Sequence, residues 1–521
     1  MYVDFGVVVF VITTILLIYF ATTRNFDYWK KKKVLHPKPI PLFGNYIKYI
    51  LLQKSSAEVS QELCRQFRKE PYFGSYYGTK PALVILDPGI IKLAFSKDFY
   101  YFSSRELMDY RYKETVTQNI FFQYGDSWKA IRSSLTPIFS SAKLKNMFYL
   151  LEKCAHEFEN MLDYETDMSD VIGTRELTIR YTMDCICSCN FGVEAGTMGK
   201  DVENNPFTIM GNVIFGSSYL RGFCIVTRQI WPDLFYNLGL RFFPKKIDDF
   251  FHGLLTGVFK DRDYTPTQRN DFVDLLLSLK KNGTIVSDSL NKDQTKKVKL
   301  EFDDTFMVGQ CVAVFGAGFE TSAGALSLTI YELAKNQKAQ KKAQEEIDAY
   351  LKKNNNKLSD DCTTELPFLE ACVSETLRLY PVLPIITREV VEDYTFPSGL
   401  HLERGMRVHL PVYHLHRDPE LFPEPEQYKP ERFMPDAEHQ IKPYTFFPFG
   451  EGPRTCIGMR FSKLQVLPGL ITFLKTYDVS LAEETPRKLE LETTTILLQP
   501  ASSLRVRVSR RPGWETRVYA R

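Results

Sequence analysis

From Phe5 to Thr23 the chain holds 19 uncharged residues, mostly Val, Ile, Leu and Phe. A helix of that length reaches roughly 28 Å, about the hydrocarbon thickness of a bilayer. Arg24 and Lys30 to Lys33 follow the run, and only Asp4 precedes it. The positive-inside rule leaves residues 1–4 on the lumenal side and the long C-terminal remainder in the cytosol. A cleaved signal peptide has its basic region first and an organellar presequence is Arg-rich, so neither fits. The pattern predicts a single-pass anchor over 5–23. Residues 24–45 are basic and then proline-rich, and His36-Pro37-Lys38-Pro39-Ile40-Pro41 reads as a stiff, extended spacer.

Beyond the spacer no Gly/Ser-rich linker or internal repeat divides the chain. Helical periodicity dominates over 301–335, 338–353 and 366–380, with strand-like runs at Pro81–Leu86, Arg407–Leu410 and Ser503–Val508. The polar stretches 281–300 and 352–357 read as exposed loops. The expectation is one large body over 46–521, mainly α with small β-sheets. Residues 228–245 set Ile230, Trp231, Leu234, Phe235, Phe242 and Phe243 beside Arg228, Arg241, Lys245 and Lys246. That mixture fits a shallow second membrane contact or an ordinary core helix.

With 44% hydrophobic and 25% charged residues in 521, the chain has the composition of a globular core, not of a disordered or polytopic protein. The formal net charge is +3, and Lys30 to Lys33 supply four positive charges. The near-neutral body therefore lacks the basic field of a nucleic-acid binder. Ten cysteines are too sparse for a disulfide scaffold, and Cys185, Cys187 and Cys189 match no zinc spacing. Most of these thiols read as small buried packing residues in a reducing compartment.

The segment Phe449-Gly450-Glu451-Gly452-Pro453-Arg454-Thr455-Cys456-Ile457-Gly458 carries the chemistry. An apolar-periodic run begins after Cys456, so the sulfur lies near a helix N-terminus, where N–H groups and the dipole favour a thiolate. Gly452 and Gly458 remove side chains where backbone must approach closely. The segment resembles the haem-ligand loop of cytochrome P450 monooxygenases, F-x-x-G-x-R-x-C-x-G, at Phe449, Gly452, Arg454, Cys456 and Gly458. The resemblance implies Cys456 as axial ligand of a haem b iron and Arg454 as partner of a propionate. Thiolate donation to iron favours O–O cleavage.

Three further motifs agree. Ala317-Gly318-Phe319-Glu320-Thr321-Ser322 is similar to the family's oxygen-activation motif A-G-x-[DE]-T-[TS], within a helix expected to run unbroken from about Glu301 to Lys335. The Thr321 hydroxyl can bond back to the Ala317 carbonyl and loosen the helix there, and Gly318 removes bulk. A dioxygen notch follows, with Thr321 beside it and Glu320 helping to relay protons. Glu375 and Arg378 share a helix face at i, i+3. With Pro430-Glu431-Arg432-Phe433 they resemble the family's helix K pair and meander arginine, which implies a structural ion network of Glu375, Arg378 and Arg432 beneath the ligand loop. Trp128 and Arg132, at i, i+4, are donors only. They match the W-x-x-x-R of the family's helix C and are assigned by it to the propionates. The resemblance adds Arg388 and, in Phe102-Ser103-Ser104-Arg105, Arg105.

The likeness covers everything after the spacer. Phe449 to Phe461 and Ala317 to Ser322 look most like insect microsomal members of family six, the xenobiotic-metabolising type; Ser462 departs from their usual Ala or Gly. It implies the cytochrome P450 fold on the cytosolic face of the endoplasmic reticulum membrane. The implied reaction inserts one oxygen atom of dioxygen into a small apolar substrate: a xenobiotic, plant toxin, insecticide, or endogenous lipid or hormone. Electrons would come from NADPH through NADPH-cytochrome P450 reductase, with cytochrome b5 as an optional second donor. Pocket walls, by position, are Tyr112, Phe121, Phe122, Phe315, Ala317, Val382, Leu383, Ile385, Ile496 and Leu497, apolar or aromatic as an enclosed site requires. Lys129, Lys143, Lys145, Lys442 and Lys463 fall near the haem's proximal face, where basic charge would steer an acidic flavoprotein. Two other readings stay open: a thiolate-haem isomerase or dehydratase without a reductase, against which the Glu320-Thr321 pair argues, and a non-catalytic haem or lipid-carrier protein.

Overall fold

The computed structural model describes residues 5–520 apart from 106, 111, 282 and 292–296; the expected lumenal segment 1–4 lies outside the described residues. Phe5–Thr23 forms one helix with no buried side chain, long and apolar enough to cross a membrane. Asp304–Lys335 also meets that criterion, but 61% of its apolar window is buried inside the protein, so it belongs to the core.

Residues 24–45 do not hang as a free spacer. Trp29 is fully buried and its Nε1 donates to the Ser75 carbonyl at 2.9 Å. Gly74 accommodates the indole: a Cβ there would come within 2.4 Å of the ring. The Tyr28 hydroxyl donates to Glu403, and Lys32 pairs with the same carboxylate at 2.7 Å. The folded body thus begins at Tyr28, not at 46, because Trp29 and Val34 supply core side chains within the lysine-rich stretch.

Helices make up most of the body. Met459–Leu474 is apolar and buried on nearly every side, since it packs between Ser141–Met168 and Glu320–Lys335. A four-stranded sheet orders Tyr72–Tyr77, Lys80–Ile85, Arg407–Leu410 and Ile386–Glu389. Its outer pairs are antiparallel and its central pair parallel, and Arg388 stands opposite Val408. Tyr477–Leu481, Arg505–Arg510 and Val171–Gly173 form a second, three-stranded sheet. The last of the expected strands therefore starts at Arg505, two residues late, because the Ser503 hydroxyl is drawn to Glu176 at 2.8 Å.

Two expectations need correction. The stretch 281–300 is not simply a loop: Thr284–Asp288 and Lys297–Glu301 pair as a hairpin that packs on helix Gly125–Leu135, with Ile285 as its buried position. Nor is 301–335 one helix. It starts at Asp304, capped where the Asp303 side chain accepts the Phe306 N–H at 2.7 Å, and divides into Asp304–Gly318 and Glu320–Lys335.

The segment 228–245 is neither one core helix nor a uniform interfacial one. Ile230, Phe235 and Phe242 are buried, Leu234 and Leu238 are exposed, and Arg228 is buried while Arg241, Lys245 and Lys246 face outward.

Candidate active site

The ligand-loop residues hold one another through their backbone. The Cys456 N–H donates to the Phe449 carbonyl at 2.9 Å, and Gly450 turns the loop at φ 73°. Gly452, at φ 69°, is required for another reason than access to a cofactor: a Cβ there would lie 2.0 Å from the Phe95 carbonyl oxygen. At Gly458 the added carbon would meet only Cys456 Sγ, at 4.0 Å. Helix Met459–Leu474 begins three residues after Cys456. Burial pushes the Cys456 thiol up, and the Gly458 N–H with the charges of Arg105 and Arg132 pulls it back. A metal ion displaces such a proton when it binds.

Cys456 opens into a cavity of about 510 Å³ at the centre of the protein. Val312, Ala313, Gly316, Ala317 and Thr321 form its wall on the central helix. The helix breaks at Phe319, where the Thr321 hydroxyl donates to the Ala317 carbonyl at 2.6 Å. Phe449, Gly458, Phe121, Phe122, Val382, Leu383, Ile385, Ile496 and Leu497 also line the cavity. Two expected wall residues do not. Tyr112 is 60% exposed at the surface, and Phe315 points to the opposite side of its helix, among Phe191, Phe207 and Phe251.

Four arginines, Arg105, Arg132, Arg388 and Arg454, line the same cavity as Cys456. Arg454 lies over the buried Trp128 ring, 4.7 Å from its centroid, and donates to the Gln123 carbonyl. Arg105 donates to the Phe121 carbonyl at 3.1 Å, and Arg388 to that of Thr387 at 2.9 Å. None of the four makes an ion pair among the described residues, and the Nε atoms of Arg388 and Arg454 are buried without partners. Burial, and after it their mutual repulsion, lowers Arg388 to about 9 and holds Arg454 well below the guanidinium range. Arg105 falls to about 10 for want of water, despite the nearby Cys456. Arg388 and Arg454 are buried and Arg105 and Arg132 partly so, and the four cations around one thiol lack an anion among the described residues. A flat macrocycle with two carboxylates and a central metal has the charge and chemistry that this donor set fits.

Glu320 does not join Thr321 at the cavity. Its carboxylate is buried, pairs with Arg175, and accepts from Gln499 Nε2 at 2.8 Å. Burial raises its pKa, against the pull of Arg175. A void of about 10 Å³, lined by both Glu320 and Thr321, lies behind the helix.

Glu375 and Arg378 are fully buried and bidentate, at 2.7 and 2.8 Å, and Arg432 approaches Glu375 at 3.5 Å. Arg378 also donates to the His416 carbonyl at 2.8 Å. The His416 ring accepts the Phe447 N–H at 3.1 Å, which ties the network to the start of the ligand loop. Sequence reasoning missed His416, Arg175, Gln499, and the cavity-lining Arg221 and Gln229; it left Arg228 on a segment that fits either a shallow membrane contact or a core helix. The signal for the last group was the i, i+4, i+7 spacing of Arg221, Ile225 and Arg228 on helix Tyr219–Ile230.

The profile of the family described as Cytochrome P450 matches residues 35–507. Cytochrome P450 6k1 of Blattella germanica is 36% identical over 499 residues, covering 94% of each chain. Cytochrome P450 6B2 of Helicoverpa armigera is 34% identical over 495 residues, covering 95% of this chain and 96% of that one. Cytochrome P450 6a2 of Drosophila melanogaster is 32% identical over 496 residues, covering 94% and 96%.

Proposed function

The chain belongs to the cytochrome P450 family of haem monooxygenases, and from that premise we propose that it oxidises small, largely apolar molecules at the Cys456 cavity with electrons from NADPH. The observation that carries this reading is the quartet of arginines around the thiol, two buried and two partly buried, none of them in an ion pair among the described residues. Haem b, when bound, supplies the iron chemistry that activates dioxygen. Cys456 Sγ would ligate the iron, and Arg105, Arg132, Arg388 and Arg454 would hold the propionates, with Trp128 stacked under Arg454. Phe121, Phe122, Leu383 and Ile496 exclude water from the substrate. Thr321 Oγ1, freed from its back-bond to Ala317, can hold a water and pass its proton into the cavity. Glu320 would refill that proton from behind the helix, since the void it shares with Thr321 has room for about one water.

The apolar helix Phe5–Thr23 supports a single-pass anchor in the endoplasmic reticulum membrane with the body in the cytosol. The exposed Leu234 and Leu238 support a shallow second contact with the same surface. Added protease should digest the body in sealed microsomes; protection would reverse the orientation. NADPH-cytochrome P450 reductase, with cytochrome b5 as an optional second donor, would approach the ligand-loop side, where Lys143 and Lys442 are exposed. Lys145 is exposed as well, only loosely paired with Asp360 at 3.6 Å, whereas Lys129 and Lys463 are less available, held by the Ser289 carbonyl and Glu370.

Cys456→His tests the ligand. The reduced carbon monoxide complex of the wild type should show the red-shifted Soret band of a thiolate-ligated haem, and the variant should lose it. A variant that keeps the band removes Cys456 from the role. Turnover that needs no NADPH would favour the isomerase or dehydratase reading.

A further inference from the structure

The cavity has a second charged region, on the inward face of helix Tyr219–Ile230. Arg221, Ile225 and Arg228 line it at i, i+4 and i+7, followed by Gln229. This helix is apolar on both sides: Ile225, Val226 and Ile230 are buried, while Tyr219, Leu220 and Phe223 face outward and Leu220 is 74% exposed. Two guanidinium groups share the cavity-lining side with Ile225.

Local packing does not balance their charge. Arg228 is only 4% exposed, and its one hydrogen bond among the described residues runs from Nε to the Tyr236 hydroxyl at 2.9 Å. Arg221 donates to the Phe242 carbonyl, and its Nε is buried without a partner. Both lie over the Phe242 ring, at 4.5 and 4.6 Å from its centroid. The nearest carboxylate, Glu114, already accepts from the Tyr236 hydroxyl at 3.2 Å and from the Phe242 and Phe243 N–H groups at 3.0 and 2.8 Å. It makes no ion pair with either arginine among the described residues, and one negative charge cannot neutralise two positive ones. Burial lowers the Arg221 pKa, Cys224 and Glu114 oppose that, and Arg228 adds to it. Buried cations left in excess call for an anion.

These arginines are separate in sequence and in partners from the quartet around Cys456, and the apolar Phe122, Ile225, Phe243 and Ile496 line the cavity with them. We propose that the pocket selects amphipathic carboxylic acids, whose carboxylate is held by Arg221 and Arg228 while the apolar chain extends along the cavity toward Cys456. Guanidinium groups pair with carboxylates through charge-assisted bonds that a neutral ester cannot form equally well. Oxidation then falls on carbons remote from the acid group, because the acid end is fixed on helix Tyr219–Ile230 and not at Cys456. This proposal rests on the monooxygenase reading of the cavity.

The test compares tetradecanoic acid with its methyl ester on the purified full-length holoenzyme, by calorimetry and by the haem spin-state shift. The wild type should bind the acid roughly tenfold or more tighter than the ester. Arg221→Gln and Arg228→Gln should each erode that preference while ester affinity stays within about twofold. Equal affinities in the wild type, or a preference that survives both substitutions, would overturn the proposal. The wild-type comparison needs no variant, so a misfolded Arg228→Gln does not obscure the answer. Calorimetry reads the acid preference even if no probe is oxidised with NADPH, so failure of the monooxygenase reading is seen separately.

Discussion

Thr321 Oγ1 donates to the carbonyl of Ala317 at 2.6 Å, one turn back along the central helix, and the helix breaks between them at Phe319. The hydroxyl thus opens the helix beside the cavity and stands at the opening. Thr321→Ala keeps a small helix former there, so fold and haem content should survive. NADPH consumption should continue with less oxidised product and more hydrogen peroxide. A binding defect alone would raise the apparent KM and leave the product-to-NADPH ratio intact. An unchanged ratio at saturating substrate would leave Thr321 a merely structural residue.

Breaking the Glu375–Arg378 pair should be costly. Both side chains are fully buried, and Glu375→Leu strands a guanidinium against the His416 and Gln427 carbonyls. The expected loss is about 3–5 kcal/mol for either single variant. The double variant Glu375→Leu/Arg378→Leu should be less destabilised than either single one. Denaturant unfolding of the four forms decides it, and additive losses would refute the coupling.

Acid should weaken the protein through His416. Its buried ring accepts the Phe447 N–H, and burial, then the Arg378 charge, lowers its pKa from 6.5 to about 3. Between those values the unfolded chain binds a proton that the folded one refuses. Stability is therefore fully present above 6.5 and is lost as pH falls toward 3, with a slope of about 1.4 kcal/mol per pH unit. His416→Gln should flatten the dependence of the unfolding midpoint on pH in that window. A slope identical to wild type would place the acid sensitivity elsewhere.

Reductase-supported turnover should fall when Lys143 and Lys442 are reversed to Glu, and the wild-type rate should fall as salt rises. Both lysines are exposed, whereas Lys463 is already paired with Glu370, so Lys463→Glu should matter less. Equal effects of all three would argue against a steering patch.

What was legible in the chain was what local spacing carries. The Cys456 loop, the i, i+3 pair of Glu375 and Arg378, the anchor run and the strand Arg407–Leu410 depend on residues within one or two turns of each other. What was not legible depends on rotation about an axis or on distant partners. Phe315 is two residues from Ala317, yet it faces the opposite side of the helix. Glu320 is adjacent to Thr321 but is turned away by Arg175 and Gln499, 145 and 179 residues distant. The hairpin over 284–301 was hidden because only Ile285 is strongly buried in its first strand, too little for a period-two signal. Arg221 was not singled out, and Arg228 stood on a segment open to either a membrane contact or a core helix, because charge on a helix usually points to water.

The burial of Trp29 beneath the sheet determines where the N-terminal apolar helix can be removed. The apolar helix ends at Thr23, and five residues later the chain is already clasped by Glu403 and Ser75. A soluble form cut immediately after Thr23 keeps every core side chain. One cut after the lysine run at Lys33 deletes an indole from the interior and opens a hole against Gly74, at a cost of roughly 3–5 kcal/mol. The same clasp leaves only residues 24–27 between the apolar helix and the body, so in the proposed anchored form the body would hang from the bilayer by a very short tether.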